Sequence, residues 1–454
     1  MVAAMLVLTM PVINTACVMV TVAYLLMRTQ KDFTILQAGN STKKRFLLIV
    51  LFGIFTIYAG YNSIPVDGAV VSLRHTGPIL AGLVGGPVVG LVTGGIGVFN
   101  RVLQEGLSGT WKSAVLALLL SGLLSGLFSI VLKKDNSIKI WKIVVFTAIY
   151  ELFSTGLTFI FTSDFETALM IEKNVRLSLI IGNTIAVAIF MFYIKNLTEE
   201  KHNKEIKEQI EYELNVARSI QMSMVPKIFP AFPEVQEIEV FALLEPAKEV
   251  GGDLYDFFYV DDDHFCFVVG DVSGKGVPAS LFMAVTKTLI QAKAGKHSSA
   301  EILFQVNNEL CKGNAQDMFV TVFCGILDIR TGEIEFSNAG HTKPYLYKMD
   351  GTVEVITPNA GIALGVMADF SYCQEKLVMS LGDALILYTD GVTEAMSVKN
   401  ELFSEQRLES AVKQTTGNAS AKEITYSIAE KVEGFADNAA QFDDITILVL
   451  KYFG

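Results

Sequence analysis

The 454-residue sequence predicts a multidomain protein: an N-terminal α-helical membrane domain at 1–195, a linker helix at 196–226 and a C-terminal α+β domain at 227–454. Three observations predict it. Residues 1–197 carry 15 Lys+Arg against 8 Asp+Glu, and residues 198–454 carry 21 against 39, so the halves have charges of +7 and −18 and sum to the net −11. The mean hydropathy is +0.44 although only 51% of residues are apolar, so the apolar excess is concentrated in one part of the chain. Long apolar runs fill the first half, and short β-like runs fill the second. This pattern excludes an ordinary soluble enzyme, a disordered chain and a secreted mini-protein. It also excludes nucleic acid as the main partner, because the acidic half has nothing to neutralise phosphates.

In the first half, apolar runs fall at 5–27, 46–60, 68–83, 86–100, 113–132, 143–162 and 177–194. Most reach the ~17–25 residues that cross a lipid bilayer's hydrocarbon core. The first has no basic segment before it and runs about 23 residues, which reads as a retained transmembrane helix and not a cleaved leader. Loop 28–45 (Arg28, Lys31, Lys43, Lys44, Arg45) and loop 133–142 (Lys133, Lys134, Lys139, Lys142) are basic and belong in the cytoplasm. Loop 163–175, with Asp164, Glu166 and Glu172, belongs outside. The chain after Lys195 is then cytoplasmic, in a multi-pass protein of the inner (plasma) membrane. The short, Gly-rich pair 68–83 and 86–100 either crosses twice or forms a re-entrant hairpin, giving seven spans or five plus a hairpin.

Gly82, Gly86, Gly90 and Gly94 recur every four residues, and Gly122 and Gly126 repeat the spacing, a face along which helix backbones approach closely. Arg74 lies inside an apolar run and Arg101 ends one; charge at that depth is expensive unless it is paired or used. Either Glu105 and Glu151 are structural partners, or the two planar guanidiniums hold a small anionic signal ligand. The run R-H-T-G-P-I-L-A-G-L-V-G-G-P-V-V-G-L-V-T-G-G-I-G-V-F-N-R, residues 74–101, resembles the transmembrane sensor domain of LytS-type histidine kinases, with a likeness extending over about 10–195. The resemblance implies a receptor for small anionic or membrane-state signals, not a transporter.

Residues 196–224 are polar and free of Gly and Pro until Pro226, which reads as a helix. Ile210, Leu214, Ala217, Gln221 and Met224 step by four and three, an a/d-like seam. The linker therefore reads as a dimerising signalling helix and the protein as a homodimer; a solvated spacer is the plainer alternative.

In the second half, β-like runs at 237–243, 264–270, 318–328, 334–338, 353–356, 383–388 and 445–451 are mixed with helical stretches at 279–294, 299–312 and 421–434, an α+β layered pattern. Four acidic turns stand out. V-G-G-D-L-Y-D places Asp253 after two glycines; G-D-V-S-G-K-G-V-P-A places Asp271 where an apolar run ends. L-I-L-Y-T-D-G-V-T-E places Asp390 after another, and F-D-D-I-T-I-L-V-L places Asp443 and Asp444 before a third. Carboxylates at strand ends can converge at one sheet edge, and without His or Cys they make a hard oxygen site suited to Mg²⁺ or Mn²⁺. A nucleotide loop is excluded: G-D-V-S-G-K-G has three residues where a P-loop needs four, and Gly where it needs Ser or Thr. His341 in N-A-G-H reads as structural, and the five scattered cysteines read as reduced thiols.

The blocks A-R-S-I-Q-M-S-M-V-P, A-K-E-V-G-G-D-L-Y-D, G-D-V-S-G-K-G-V-P-A-S, M-F-V-T, N-A-G-H-T-K-P, Y-T-D-G-V-T-E-A and F-D-D-I-T resemble the SpoIIE/RsbU branch of the metal-dependent, type 2C-like Ser/Thr protein phosphatases over about 213–452. The resemblance implies an αββα sandwich with two divalent ions, Mn²⁺ or Mg²⁺, at one edge. By motif, Asp271 bridges both ions with help from the Val272 carbonyl, Asp253 serves one ion, and Asp390 and Asp443 serve the other. Asp444 and Gly252 stand behind these ligands. The early strand motifs lack the arginine of eukaryotic relatives, which leaves the phosphate to the metals. The implied activity is hydrolysis of phosphoserine or phosphothreonine on a protein partner, an anti-sigma-factor antagonist in this family, under control of a transmembrane signal. Two rival expectations are a catalytically silent sensor that only binds a partner and a transporter with a regulatory domain.

Overall fold

The structure, a computed structural model, describes residues 42–66, 69–106, 111–133, 139–161, 165–295, 297–359, 361–415 and 418–454, with a few isolated positions before 42. The chain divides into two compact units, Met1–Lys207 and Glu208–Gly454. The apolar run 5–27 lies outside the described residues.

The first unit contains α1 (Thr42–Tyr61), a small hairpin of β1 (Ile64–Val66) and β2 (Ala69–Val71), α2 (Thr76–Gly85), α3 (Pro87–Glu105), α4 (Trp111–Lys133), α5 (Ile140–Phe161) and the start of α6 (Phe165–Met224). Among the described residues, four helical stretches are long and apolar enough to cross a membrane: Thr42–Tyr61, Trp111–Leu132, Ile140–Phe161 and one within Arg176–Met224. Helix α2 has ten residues. At 1.5 Å per residue it is about 15 Å long, half of the ~30 Å hydrocarbon core.

The four-residue glycine spacing resolves into two roles. Gly86 joins α2 to α3 with φ +87, a turn conformation, and Pro87 opens the next helix. The other glycines line a backbone-to-backbone crossing with α4. A Cβ on Gly122 would lie 2.0 Å from the Gly90 carbonyl oxygen, and one on Gly82 would lie 2.4 Å from that of Gly122. The expected outer loop 163–175 is mostly helix: α6 begins at Phe165, and Glu166 in its first turn suits the positive end of the helix dipole.

Helix α6 runs unbroken for 60 residues. Its last turns correct one expectation. Gln221, placed above on a dimerising seam, is turned into its own chain, 7% exposed and hydrogen-bonded to Gly251. The large hydrophobic side chains left exposed on this stretch are Ile206, Ile210, Tyr212, Val216, Ile220 and Met224.

The second unit is a four-layer sandwich. One antiparallel sheet has the order β10–β7–β6–β5–β4, from β4 (Leu254–Tyr259), β5 (His264–Val272), β6 (Val320–Asp328), β7 (Glu333–Ala339) and β10 (Glu375–Val378). The other has the order β3–β12–β11–β8–β9, from β3 (Ile238–Glu245), β8 (Tyr345–Tyr347), β9 (Val353–Val355), β11 (Ala384–Tyr388) and β12 (Ile445–Tyr452). Period-two alternation divides each strand between two cores. Phe265, Phe267 and Val269 of β5 meet Leu448 and Leu450 of β12 between the sheets. Cys266 and Val268 face α7 (Val277–Lys293) and α8 (Ser299–Cys311). Ile445, Ile447 and Val449 face α10 (Ser404–Lys413) and α11 (Ala421–Ala436), while the short α9 (Asp390–Thr393) follows β11. Both sheets are thus buried on both faces, as the αββα expectation requires.

Strand β4, absent from the sequence-based set of strands, reads L-Y-D-F-F-Y, with an acid in its middle. Asp256 is tolerated there because Lys287 of α7 pairs with it at 2.6 Å, both side chains being buried.

Candidate active site

Strand pairing brings the four acidic turns to one edge of the sandwich. Leu254 pairs with Gly270, which sets Asp253, just before β4, beside Asp271 near the end of β5. Tyr388 pairs with Ile447, which sets Asp390, at the start of α9, near Asp443 and Asp444, just before β12. One sheet therefore supplies two of the carboxylates and the other sheet supplies the rest.

The carboxylates brought together in this way act on one another electrostatically. Asp253, 2% exposed, is held well above the usual carboxylate range by burial first and then by the charges of Asp271 and Asp444. Asp271 is pushed up to about 7, again by burial first, with Asp390, Asp443 and Asp444 adding to it. Asp390 is raised by burial, Glu394 and Asp443, against the pull of Lys275. Several buried acids that cannot all ionise alone form an environment that calls for cations.

The residues around them fix their orientation. Asp253 Oδ2 accepts hydrogen bonds from Thr389 Oγ1 at 2.7 Å and Thr446 Oγ1 at 2.6 Å, both from the opposite sheet. Asp444 faces away from the edge: Oδ1 accepts from the Ala247 N–H at 2.8 Å, and Oδ2 from the N–H groups of Gly252 at 2.7 Å and Asp253 at 3.3 Å. It clasps the loop that delivers Asp253. Glycine is required beneath it, since a Cβ on Gly251 would meet Asp444 Oδ2 at 2.1 Å. Gly252 packs against Val272, whose carbonyl oxygen would lie 2.8 Å from a Cβ there. Gln221 holds the same loop from α6, donating to the Gly251 carbonyl at 2.7 Å and accepting from its N–H at 3.1 Å. His341 is buried and held near 4 by that burial, so it is neutral; its Nδ1 lies 2.9 Å from Thr321 Oγ1.

Among the described residues, no group of three or more His, Cys, Asp and Glu side chains is drawn together tightly enough to hold an ion as it stands. The oxygens are otherwise engaged: Asp253 with two threonines, Asp444 with backbone amides, and Asp443 Oδ2 with Lys275 Nζ at 3.0 Å. The donor set nonetheless fits hard divalent cations, because it offers carboxylates on both sides of one edge and little positive charge to balance them. Thr389, Thr446 and Lys275 carried no role in the sequence, and Gln221 carried only its place on the helix seam. All four lie inside the quoted blocks, and Lys275 lies also in the run tested as a nucleotide loop.

In the first unit, Arg74 and Arg101 converge on one carboxylate. Arg74 Nη1 pairs with Glu105 Oε1, and Arg101 Nη1 lies 2.6 Å from Glu105 Oε2. Arg74 Nη2 also donates to Gln104 Oε1 at 2.6 Å, and the residue is 4% exposed. Glu151 belongs to a separate buried cluster, with His75 Nδ1 at 3.1 Å, Asn183 Nδ2 at 3.0 Å and Arg176 Nη1 at 3.6 Å. Of the two carboxylates proposed as arginine partners, Glu105 serves both Arg74 and Arg101, and Glu151 serves neither.

Residues 261–453 match the Stage II sporulation protein E (SpoIIE) family, and residues 30–197 match the 5TMR of 5TMR-LYT family. The chain joins a 5TM-5TMR_LYT sensor domain to a SpoIIE-type phosphatase domain. Asp271, Asp390, Asp443 and Asp444 fall within the SpoIIE match, whereas Asp253 precedes it. The chain is similar to Protein IcfG of Synechocystis sp., with 31% identity over 60% of this chain and 45% of that protein. It is also similar to Phosphoserine phosphatase RsbU of Bacillus subtilis, with 26% identity over 59% of this chain and 77% of that one. The likeness to Sensor protein LytS of Staphylococcus epidermidis is 25% over 40% of this chain and 33% of LytS. The chain thus spans less than half of IcfG and about a third of LytS.

Proposed function

We propose that this chain is a membrane receptor phosphatase that hydrolyses phosphoserine or phosphothreonine on a protein partner, an anti-sigma-factor antagonist, under control of a transmembrane signal. The observation that carries the reading is the meeting of Asp253, Asp271, Asp390 and Asp443 at one edge of a SpoIIE-type sandwich, where burial and neighbouring carboxylates raise Asp253, Asp271 and Asp390 above the usual carboxylate range. Asp271, with the Val272 carbonyl, would serve both Mn²⁺ or Mg²⁺ ions, Asp253 one, and Asp390 and Asp443 the other. Such a pair supplies a deprotonated water and a clamp on the phosphoryl oxygens. Asp444 and Gly252 position the Asp253 loop, and the two threonines hold one Asp253 oxygen.

The same proposal places 1–195 in the inner (plasma) membrane as a multi-pass sensor and 227–454 in the cytoplasm, with 196–226 linking them. Arg74 and Arg101 would receive a small anionic ligand in exchange for Glu105. The chain would act as a homodimer through the exposed apolar side chains of α6, and Gln221 would pass movement of that helix to the Asp253 loop.

The test is hydrolysis of p-nitrophenyl phosphate by the full-length protein with and without Mn²⁺, beside Asp271→Ala and Asp390→Ala. Metal-dependent turnover abolished in both variants is the expected result. Folded protein that binds Mn²⁺ but never turns over, on this probe or on a phosphoserine peptide, would replace the enzyme with a sensor that only binds a partner.

A further inference from the structure

The loop between β5 and α7 is built to present one cation. Gly274 (φ +86) and Gly276 (φ +80) bracket Lys275 in backbone conformations that favour glycine. A Cβ at either glycine would meet no atom within 4 Å, so backbone conformation and not space selects them. Ser273 anchors the loop twice: its N–H donates to the Phe319 carbonyl at 2.8 Å, and its Oγ accepts from the Phe319 N–H at 3.0 Å. From this fixed base Lys275 Nζ reaches across to the other sheet. It lies 3.0 Å from Asp443 Oδ2 and donates to the Phe442 carbonyl, with its side chain 36% exposed. Helix α7 starts two residues later, so its positive end adds to the same field.

An ammonium among carboxylates that serve divalent ions works against those ions unless it has a use of its own. At a phosphatase edge, that use is the phosphoryl group. We propose that Lys275 is a phosphate-binding residue. When Asp443 turns to a divalent ion, the ammonium is freed to donate to a phosphoryl oxygen of the substrate, in the role that no early-strand arginine fills in this sequence. Lys275 neither makes nor breaks a bond; it contributes a charge-assisted hydrogen bond from a point charge. This inference rests on the phosphatase reading of the site.

The test uses full-length protein in lipid nanodiscs, as wild type, Lys275→Gln and Lys275→Arg. Calorimetry gives the Mn²⁺ affinity, then the affinity of the Mn²⁺-loaded protein for inorganic phosphate; KM and kcat for p-nitrophenyl phosphate follow. Lys275→Gln is expected to leave Mn²⁺ affinity within about twofold or to tighten it, and to weaken phosphate binding and raise KM about tenfold, with Lys275→Arg recovering most of the loss. Unchanged phosphate affinity in Lys275→Gln would reduce the lysine to a counter-ion and overturn the proposal. So would a collapse of Mn²⁺ affinity, which would make it part of the metal site's architecture. A wild type that binds Mn²⁺ without turnover refutes the phosphatase reading alone, and the phosphate titration still decides the lysine. A wild type that binds no Mn²⁺ refutes both.

Discussion

Gln221→Leu removes both hydrogen bonds by which the end of α6 holds Gly251, two residues before Asp253. The side chain is 7% exposed, so water has little access to replace it. Two such bonds contribute about 0.5–1.5 kcal/mol each, and a buried donor or acceptor left unpaired costs about 1–3 kcal/mol. Allowing for partial relaxation, the loss is about 2–4 kcal/mol, or roughly 30- to 1,000-fold in the equilibrium between the docked and open loop. Hydrogen exchange of the full chain, followed by mass spectrometry on peptides spanning 247–254, reads this equilibrium directly. Exchange there should accelerate at least about 30-fold and Mn²⁺ affinity should fall with it, because the same loop delivers Asp253. Ser219→Ala, on an exposed position of the same helical turn, should change neither by more than about twofold. If Gln221→Leu stays folded and exchange over 247–254 is unchanged, Gln221 does not hold the loop, and the coupling argument loses its contact.

Two further outcomes follow from the geometry. Asp271, raised to about 7, holds a proton in the folded state that the unfolded chain has already released, so its contribution to metal-free stability falls as pH rises from the ordinary carboxylate range through 7. The metal-free protein should therefore lose thermal stability between pH 5 and pH 8, Asp271→Asn should flatten that slope, and Mn²⁺ binding near pH 6 should release protons, measurable by calorimetry in buffers of different ionisation enthalpy. In the membrane unit, a Cβ on Gly122 would sit 2.0 Å from backbone of α3, which cannot swing aside. Gly122→Ala should cost about 1–3 kcal/mol and lower the melting temperature in detergent, while Gly156→Ala, with open space around it, should not; equal melting of the two would refute the crossing.

The features legible in the sequence were those written locally. An apolar run ending in an acid marks a strand end, and that pattern located Asp271 and Asp390 at the close of β5 and β11 and Asp443 before β12. What depended on distant partners was hidden. Asp256 disguised β4, because the Lys287 that makes it tolerable lies 31 positions away. An a/d spacing says that one helix face is apolar but not which residues dock into their own chain, so Gln221 was placed on the wrong side. Arg101 and Glu105 are one helical turn apart and easily paired from sequence; the arrival of Arg74 at the same carboxylate, from 31 positions away, is a matter of helix packing. The threonines that orient Asp253 carried no signal beyond their place next to an acid.

The anchoring of Asp253 by Thr389 and Thr446 means that the acidic edge is owned by neither sheet. Asp253 belongs to one sheet and the hydroxyls that hold it belong to the other, on opposite sides of the aromatic and aliphatic layer where Phe267 meets Leu448. Anything gripped there acts as a rivet through two plates: its hold loosens when the plates slip past each other, while every strand is still intact. Affinity at this edge is therefore a strain gauge for the middle of the sandwich. On the proposed metal-binding reading, core substitutions far from any carboxylate should register there as changes in ion binding before they register as unfolding.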